Sequence, residues 1–481
     1  MRVTLIQLSL LSIITITLIG CNDIPTNESV VIKIHAPSQV HSKVEVVTIN
    51  MLNYEEILLK STTLDSIGNS SIEISITKPI LGKIKIGELS YKIYLEPNFE
   101  LQVSLISNLE TNSIKYSGKG SQPNNYLIGS SSVLTSFHSE NPNWWGKDFD
   151  QFSNIIDSLQ SNLKDFHLGY LDTTLLSVDI QKMFDARNDL SLINLKQQYK
   201  LINNEAYKIE NTPNSARNIS DNIPLESEYL DLSMAEYAMA LDLVLRIEIQ
   251  EPMYKGILPE QLDSLNEYFP IISHKLIKQT KFPSGIKEFL IAKNITHWLA
   301  SEGLSSGLDS IYSEFKKDFK NSIYSNQLES KYQEWISISA GHQAPEITGL
   351  TIEKDTISLS ELKGKIVYID VWATWCAPCR AEFPFYKNLQ KEFEGNSNIE
   401  FFFVSIDKDA EKWSKFLIQE TMPRGIQVNE IESKHPSVQV AYKIWGVPRY
   451  ILIDREGKIV NPKAPKPSSG KVAGLIKDLI I

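Results

Sequence analysis

Two cysteines with two residues between them, Cys376 and Cys379, are the side chains of this chain best suited to do chemistry. They stand in Trp375-Cys376-Ala377-Pro378-Cys379-Arg380. An apolar, strand-like run from Lys365 to Trp372 leads into them, and a helical pattern carried by Phe383, Phe385, Tyr386, Leu389 and Phe393 follows. A Cys-x-x-Cys between a strand and a helix suits dithiol–disulfide exchange. The first cysteine falls where the helix begins, so free backbone N–H groups and the positive end of the helix dipole favour its thiolate. The second lies one turn on, close enough to close a short disulfide. Cys376 is therefore expected to be the exposed nucleophile that forms a mixed disulfide with a target. Cys379 is expected to be the more buried thiol that resolves it.

The elements that must position this pair form the last of three differently patterned regions. From about residue 30 to 121 apolar and polar residues alternate with period two, as in Lys43-Val44-Glu45-Val46-Val47-Thr48-Ile49 and Ser71-Ile72-Glu73-Ile74-Ser75-Ile76. That pattern predicts a small antiparallel β domain built as a sandwich. From about 144 to 338 the period becomes helical: Phe152, Ile155, Ile156, Leu159, Leu163 and Phe166 share one face. Similar stripes, one of them running from Leu308 to Ile336, predict five to seven helices. Breaks fall at Asn211–Asn214, Glu251-Pro252, Phe282–Gly285 and Gly303–Gly307. Trp144, Trp145, Trp298 and Trp335 read as packing residues. Beyond Ala340, strand and helix patterns alternate, which predicts an α/β sheet. The chain is thus expected to be multidomain: an N-terminal antiparallel β domain (30–121), a middle α-helical domain (122–339) and a C-terminal α/β domain (340–481).

Composition narrows the chemistry. Lys and Arg number 48 against 58 Asp and Glu, a net charge of −10 with no basic block, which excludes nucleic-acid binding as the expected function. The chain has three cysteines, so outside the Cys-x-x-Cys only Cys21 remains. A zinc site needs two further ligands of suitable spacing. His35 and His41 lie in the N-terminal β region and the other histidines are scattered, so no metal is expected. Residues 1–20 carry Arg2 and then an uncharged apolar run, Leu5 to Ile19, too short to span a bilayer and fitting a secretory leader. It ends in Leu18-Ile19-Gly20-Cys21, which resembles a bacterial lipobox; the resemblance implies that Cys21 is lipidated and becomes the mature N-terminus, with 21–29 as a polar tether.

Residues 340–481 resemble the TlpA and ResA group of thioredoxin-fold thiol–disulfide oxidoreductases. Besides the cysteine pair, the matching residues are Gly341-x-x-Ala344-Pro345 and Trp445-Gly446-Val447-Pro448-Arg449-Tyr450-Ile451-Leu452-Ile453-Asp454-Arg455-Glu456-Gly457. The resemblance implies a thioredoxin fold with an extra helix and strand between about Asp407 and Val440. It implies that Asp370 is the buried acid that takes the Cys379 proton, and that Glu382 is a second carboxylate of the ResA-like branch. It implies a cis Pro448 against the cysteines, with the Val447 backbone accepting an extended target strand. Trp375 flanks the nucleophile, and Pro384 fits the proline inside the thioredoxin helix. The β region is similar to the small domain preceding thioredoxin-like domains in lipoproteins of Bacteroidetes, on Tyr94–Val103 and Tyr116–Ser121, although Asn98 stands where glycine is usual.

The expected function is therefore that of a membrane-anchored thiol–disulfide oxidoreductase working as a reductase, without a cofactor, in the cell envelope and facing the periplasm. Its expected partners are disulfide-containing exported proteins, apocytochrome c among them, a membrane electron donor, and the membrane itself through the lipid anchor. A competing reading makes the chain a binding or scaffold lipoprotein whose N-terminal region captures a partner. A peroxidase of related fold is disfavoured, because those enzymes use Thr-x-x-Cys and Thr374 stands only two residues before Cys376.

Overall fold

The computed structural model describes residues 29–107, 112–207, 219–257, 265, 268–430 and 436–480. The leader 1–20, Cys21, all but the last residue of the tether, and the break at Asn211–Asn214 lie outside the described residues.

The alternating region forms β1 (Ser29–His35), β2 (Lys43–Ile49), β3 (Glu56–Thr63), β4 (Asn69–Ser75), β5 (Ile80–Ile86), β6 (Leu89–Leu95), β7 (Glu100–Ser107) and β8 (Asn112–Lys119). They make two four-stranded sheets, ordered β4-β1-β7-β8 and β3-β2-β5-β6. Alternation buries one face of most of these strands, as in Val30, Ile32 and Ile34 of β1 and Val44 and Val46 of β2. The expectation of an all-antiparallel domain needs a correction. β1 and β7 run parallel, whereas the other described pairs in these sheets are antiparallel. The chain reaches β7 from β6 of the other sheet, so no hairpin ties β7 to β1, and a period-two pattern reads the same for either direction. β3 was illegible because this edge strand buries none of its residues. Asn98, in the place usual for glycine, takes φ 69°, the left-handed region that asparagine tolerates better than most residues.

Eight helices of nine or more residues follow before the C-terminal domain, among the described residues: Ser121–Glu140, Phe149–Leu171, Val178–Tyr207, Ala235–Leu243, Phe269–Gln279, Ser284–Glu302, Ser306–Asp318 and Ser325–Ile336. That exceeds the expected five to seven, because helicity begins at Ser121 and the stripe from Leu308 to Ile336 is cut between Asp318 and Ser325. The Ser121–Glu140 helix is pinned to the strands by two asparagines. Asn124 accepts from the Tyr94 N–H at 2.7 Å and donates to its carbonyl at 2.8 Å, and Asn125 does the same for Tyr116 at 3.1 and 2.9 Å. Trp144, Trp298 and Trp335 are buried as expected, but Trp145 is exposed. By contacts the chain gathers into two compact units. One comprises residues up to Ile49, Glu56–Pro142 and Asp157–Phe184; the other comprises Asn50–Glu55, Asn143–Ile156 and Asp185–Ile481.

Within the second unit, the C-terminal region is a thioredoxin fold. Its strands are β9 (Thr348–Leu350), β10 (Thr356–Ser358), β11 (Ile366–Trp372), β12 (Ile399–Ser405), β13 (Ile426–Glu430), β14 (Arg449–Ile453) and β15 (Ile459–Asn461). They form one sheet, ordered β10-β9-β13-β12-β11-β14-β15. β11 runs parallel to β12 and antiparallel to β14, and all seven of its residues are buried. A strand covered on both faces must be apolar along its length, and Asp370 is its one charged residue. The helix Ala377–Glu392 continues from β11 through the cysteine turn. The helix Ala410–Gln419 and β13 supply the expected insertion, and the helix Val472–Ile480 ends the described fold. Tyr386 and Leu389 of the first of these helices and Val472 and Ile476 of the last join one apolar cluster with Tyr368 and Trp372. By the two-residue period of a strand, Asp370 projects from the same face of β11 as those two aromatics.

Candidate active site

Cys376 and Cys379 are joined by a disulfide, with their Cα atoms 5.3 Å apart. Cys376 caps the helix Ala377–Glu392, and its Sγ accepts the Cys379 N–H at 3.1 Å. The sulfur occupies the place at a helix N-terminus where a thiolate would gain from the backbone donors and the helix dipole. Cys379 is fully buried and Cys376 retains 4% exposure. The expected order of the two holds, but Cys376 is far less open than an exposed nucleophile. In the oxidised pair its sulfur folds back onto the first helical turn and into the apolar cluster that includes Trp372 and Tyr386.

Asp370 lies in that strand face with 1% exposure. Tyr386 donates its hydroxyl to Oδ2 at 2.8 Å, while Oδ1 has no hydrogen-bond partner. Burial raises the Asp370 pKa to about 7; the Tyr386 hydrogen bond opposes the shift and the Glu382 charge adds to it. Three tyrosines surround the carboxyl. Tyr450 is its neighbour on β14, Tyr368 stacks on Tyr450 at 5.7 Å between ring centroids, and burial pushes the phenols of both, and of Tyr386, upward, so all three remain protonated.

Glu382, expected on the face of Cys379, is buried with 7% exposure. Ser468 holds it with two bonds, from its N–H to Oε2 at 2.9 Å and from its Oγ to Oε1 at 2.8 Å. Lys466 stands 3.9 Å from the same carboxylate. Ser468 lies in the turn that follows Ala464, where the Pro465 carbonyl also accepts the Tyr368 hydroxyl at 2.7 Å and the Ala464 N–H bonds the Tyr450 carbonyl at 2.9 Å. This strap therefore fastens three of the groups around Asp370.

Of the remaining expected site residues, Trp375, Val447 and Pro448 also gather here. The Val447–Pro448 peptide is cis, and Val447 packs against the cluster that contains both cysteines. Trp375 is 66% exposed beside Cys376. Pro384 lies inside the helix. Cys21 lies outside the described residues. Three residues were missed in the sequence. Tyr386 looked like one more apolar helix residue, although it stands four residues after Glu382 on the same helical face. Ser468 gave no local sign of its partner. Asp407, at the end of β12, accepts both the N–H and the hydroxyl of Thr374, at 2.8 and 2.7 Å, and so fixes the turn just before the cysteines. Ser405 donates to the same carboxylate at 2.7 Å, and the Asn429 amide bonds the Asp407 carbonyl at 2.9 Å. No cluster of side chains able to hold a metal occurs among the described residues.

The same region is similar in sequence to known proteins. Residues 339–479 match the Redoxin family model. The chain is 34% identical over 126 residues to the thiol-disulfide oxidoreductase ResA of Bacillus subtilis, an alignment covering 26% of this chain and 67% of that protein. It is 29% identical over 125 residues to the thioredoxin-like protein YneN of the same organism, covering 26% of this chain and 71% of YneN. Among solved structures, the thioredoxin domain of a thiol-disulfide oxidoreductase from Bacteroides vulgatus is 30% identical, with 30% of this chain and 100% of that one covered and a TM-score of 0.27.

Two measurements test the electrostatics. A carboxyl whose pKa is about 7 when folded and near 4 when unfolded stabilises the fold below the unfolded value and loses that contribution as pH rises toward 7. Between pH 5 and pH 8 this loss is about 2–3 kcal/mol, and Asp370→Asn abolishes it; equilibrium unfolding of both proteins at the two pH values reads the difference. Tyr386→Phe removes the donor that favours the charged carboxylate, so the Asp370 titration followed by carboxyl 13C NMR moves upward by about 0.5–1 pH unit.

Proposed function

The chain belongs to the ResA-like thioredoxin-fold thiol–disulfide oxidoreductases, and on that premise we propose that Cys376 and Cys379 reduce disulfides of exported proteins. The observation that carries this reading is the disulfide-bonded pair capping a helix, with Asp370 buried in the strand that leads into it. In the dithiol form the Cys376 thiolate attacks one sulfur of a target disulfide. A bond forms between Cys376 and that sulfur, and the other target sulfur leaves as a thiolate that takes up a proton from water. Cys379 then gives its proton to the Asp370 carboxylate and attacks Cys376 Sγ; the Cys376 bond to the target breaks, and the second target sulfur leaves as a thiolate that is protonated as Asp370 gives up that proton. Two electrons and two protons pass to the target, and the protein is left with its disulfide.

Each neighbour has a part in that sequence. A base works best when its pKa lies near the working pH, and Asp370 in the disulfide form meets that condition at about 7. Glu382, held by Ser468, is the fixed neighbouring charge that helps keep Asp370 ready to accept a proton. Trp375 limits solvent access to Cys376. Val447, before cis Pro448, offers its backbone to an extended target segment as an added strand. The Ala377-Pro378 dipeptide supports the reductase direction, with a membrane dithiol donor restoring the reduced state.

Cys21 anchors the chain through lipid in the cell envelope, facing the periplasm, and the regions 30–121 and 122–339 present the thioredoxin domain 340–481. No described helix is long and apolar enough to cross a membrane. Targets are exported proteins with accessible disulfides, apocytochrome c among them.

Cys379→Ser removes the resolving thiol, so mixed disulfides at Cys376 accumulate in cells and appear as reductant-sensitive bands on non-reducing gels; a variant that traps nothing refutes the exchange mechanism. Cys21→Ser abolishes incorporation of labelled fatty acid and moves the protein out of the membrane fraction.

A further inference from the structure

Two large aromatic side chains stand in solvent beside the cysteine turn. Trp375 is 66% exposed and Trp445 is 74% exposed. Exposed tryptophan is a poor use of a side chain that gains so much from burial, unless a partner covers it. Both line a single cavity of about 450 Å3, together with Ile406, the acids Asp407 and Asp409, the cations Lys408 and Lys412, and the Gly446–Val447 stretch. Pockets for small ligands run from about 300 to 1,000 Å3. This one has room for one or two side chains and is too small for a helix or a second copy of the chain.

The rim carries two acids, Asp407 and Asp409, and two cations, Lys408 and Lys412, which differ in what their partners leave free. Asp407 spends its carboxylate on Thr374 and Ser405. Asp409 spends one oxygen on the Glu411 and Lys412 N–H groups, capping the helix Ala410–Gln419. Both acids are thus engaged within the chain. Lys412 meets Asp409 only at 3.8 Å and keeps its side chain 78% exposed. Lys408 is exposed and makes no ion pair among the described residues.

We infer that this cavity is a specificity pocket for the target residues next to the reacting cysteine, taking an aromatic or long aliphatic side chain between Trp375 and Trp445 and an acidic residue at Lys408 and Lys412. The inference rests on the redox reading of Cys376 and Cys379. Its geometry follows from continuity: Trp375 immediately precedes Cys376 and Val447 immediately precedes Pro448. A segment that lies along Val447 with its sulfur at Cys376 carries its neighbouring side chains over this cavity. Trp445 is then a specificity-determining residue that no redox chemistry requires, and its exposure makes it replaceable without disturbing the core.

The test uses the full chain, reduced and freed of reductant, in single-turnover reactions with three cystine peptides that differ only in the two residues after each cysteine: Trp-Asp, Ser-Asp and Trp-Lys. The Trp-Asp peptide is reduced about fivefold faster than Ser-Asp, the usual scale of an aromatic contact. It is reduced about threefold faster than Trp-Lys, an advantage that fades with added salt. In Trp445→Ala the ratio between Trp-Asp and Ser-Asp collapses towards one. In the double variant Lys408→Glu, Lys412→Glu the preference between Trp-Asp and Trp-Lys inverts. Equal rates for all three peptides with the unaltered chain, or discrimination that survives both variants, would overturn the pocket. Failure to reduce any peptide would instead remove the redox reading beneath it, so the two failures are told apart.

Discussion

A carboxyl group sealed inside a strand is the constraint on which the rest of the C-terminal domain depends. Every residue of β11 is buried, and Asp370 interrupts an otherwise apolar sequence at its centre. Water, which would ordinarily stabilise a carboxylate, has been replaced by three phenol rings and one hydrogen bond. The group can hold its charge only at a cost, and burial is the first cause of its displaced pKa. Such a residue is a poor choice for stability and a good one for moving protons at neutral pH. The apolar enclosure that a sheet needs and the proton affinity that a thiol exchange needs are here the same physical fact.

The surrounding residues can be understood as managing that cost. Tyr386 supplies a donor to one oxygen. Glu382 acts in the opposite sense: its negative charge, itself retained by two donors from Ser468, adds to the cost of ionising Asp370. On the other side of the cysteines, Asp407 grips both polar groups of Thr374. The turn is thus tied to the end of β12 as well as to the helix it begins. Three elements distant in sequence converge on a stretch of a few residues, a degree of fixation that a disulfide–dithiol pair requires if both states are to share one backbone.

Legibility in the sequence followed range. The cysteine pair, the acid six residues before Cys376 and the Gly446-Val447-Pro448 segment were readable because each is a local pattern with a local reason. The strands with alternating burial were readable likewise, whereas β3, which buries nothing, was not. The parallel pairing of β1 and β7 was hidden because alternation carries no direction. Asp407 and Ser468 were hidden for a related reason. An aspartate after a strand and a serine in a proline-rich turn are unremarkable in one dimension, and only the fold shows which atoms they meet. The burial of Cys376 was misjudged because the sequence gives no hint that the oxidised sulfur tucks back onto the helix.

The bond between Ser468 and Glu382 joins residues 86 positions apart, and this has a consequence for the order in which the chain becomes competent. Synthesis proceeds from the N-terminus, so both cysteines, Asp370 and Glu382 emerge well before the strap that carries Pro465, Lys466 and Ser468. During that interval Glu382 lacks the two donors that hold it in the finished domain. The strap acts as a completion mark. A chain without the strap therefore carries all the letters of the motif but lacks the contacts that hold Glu382, Tyr368 and Tyr450 around Asp370.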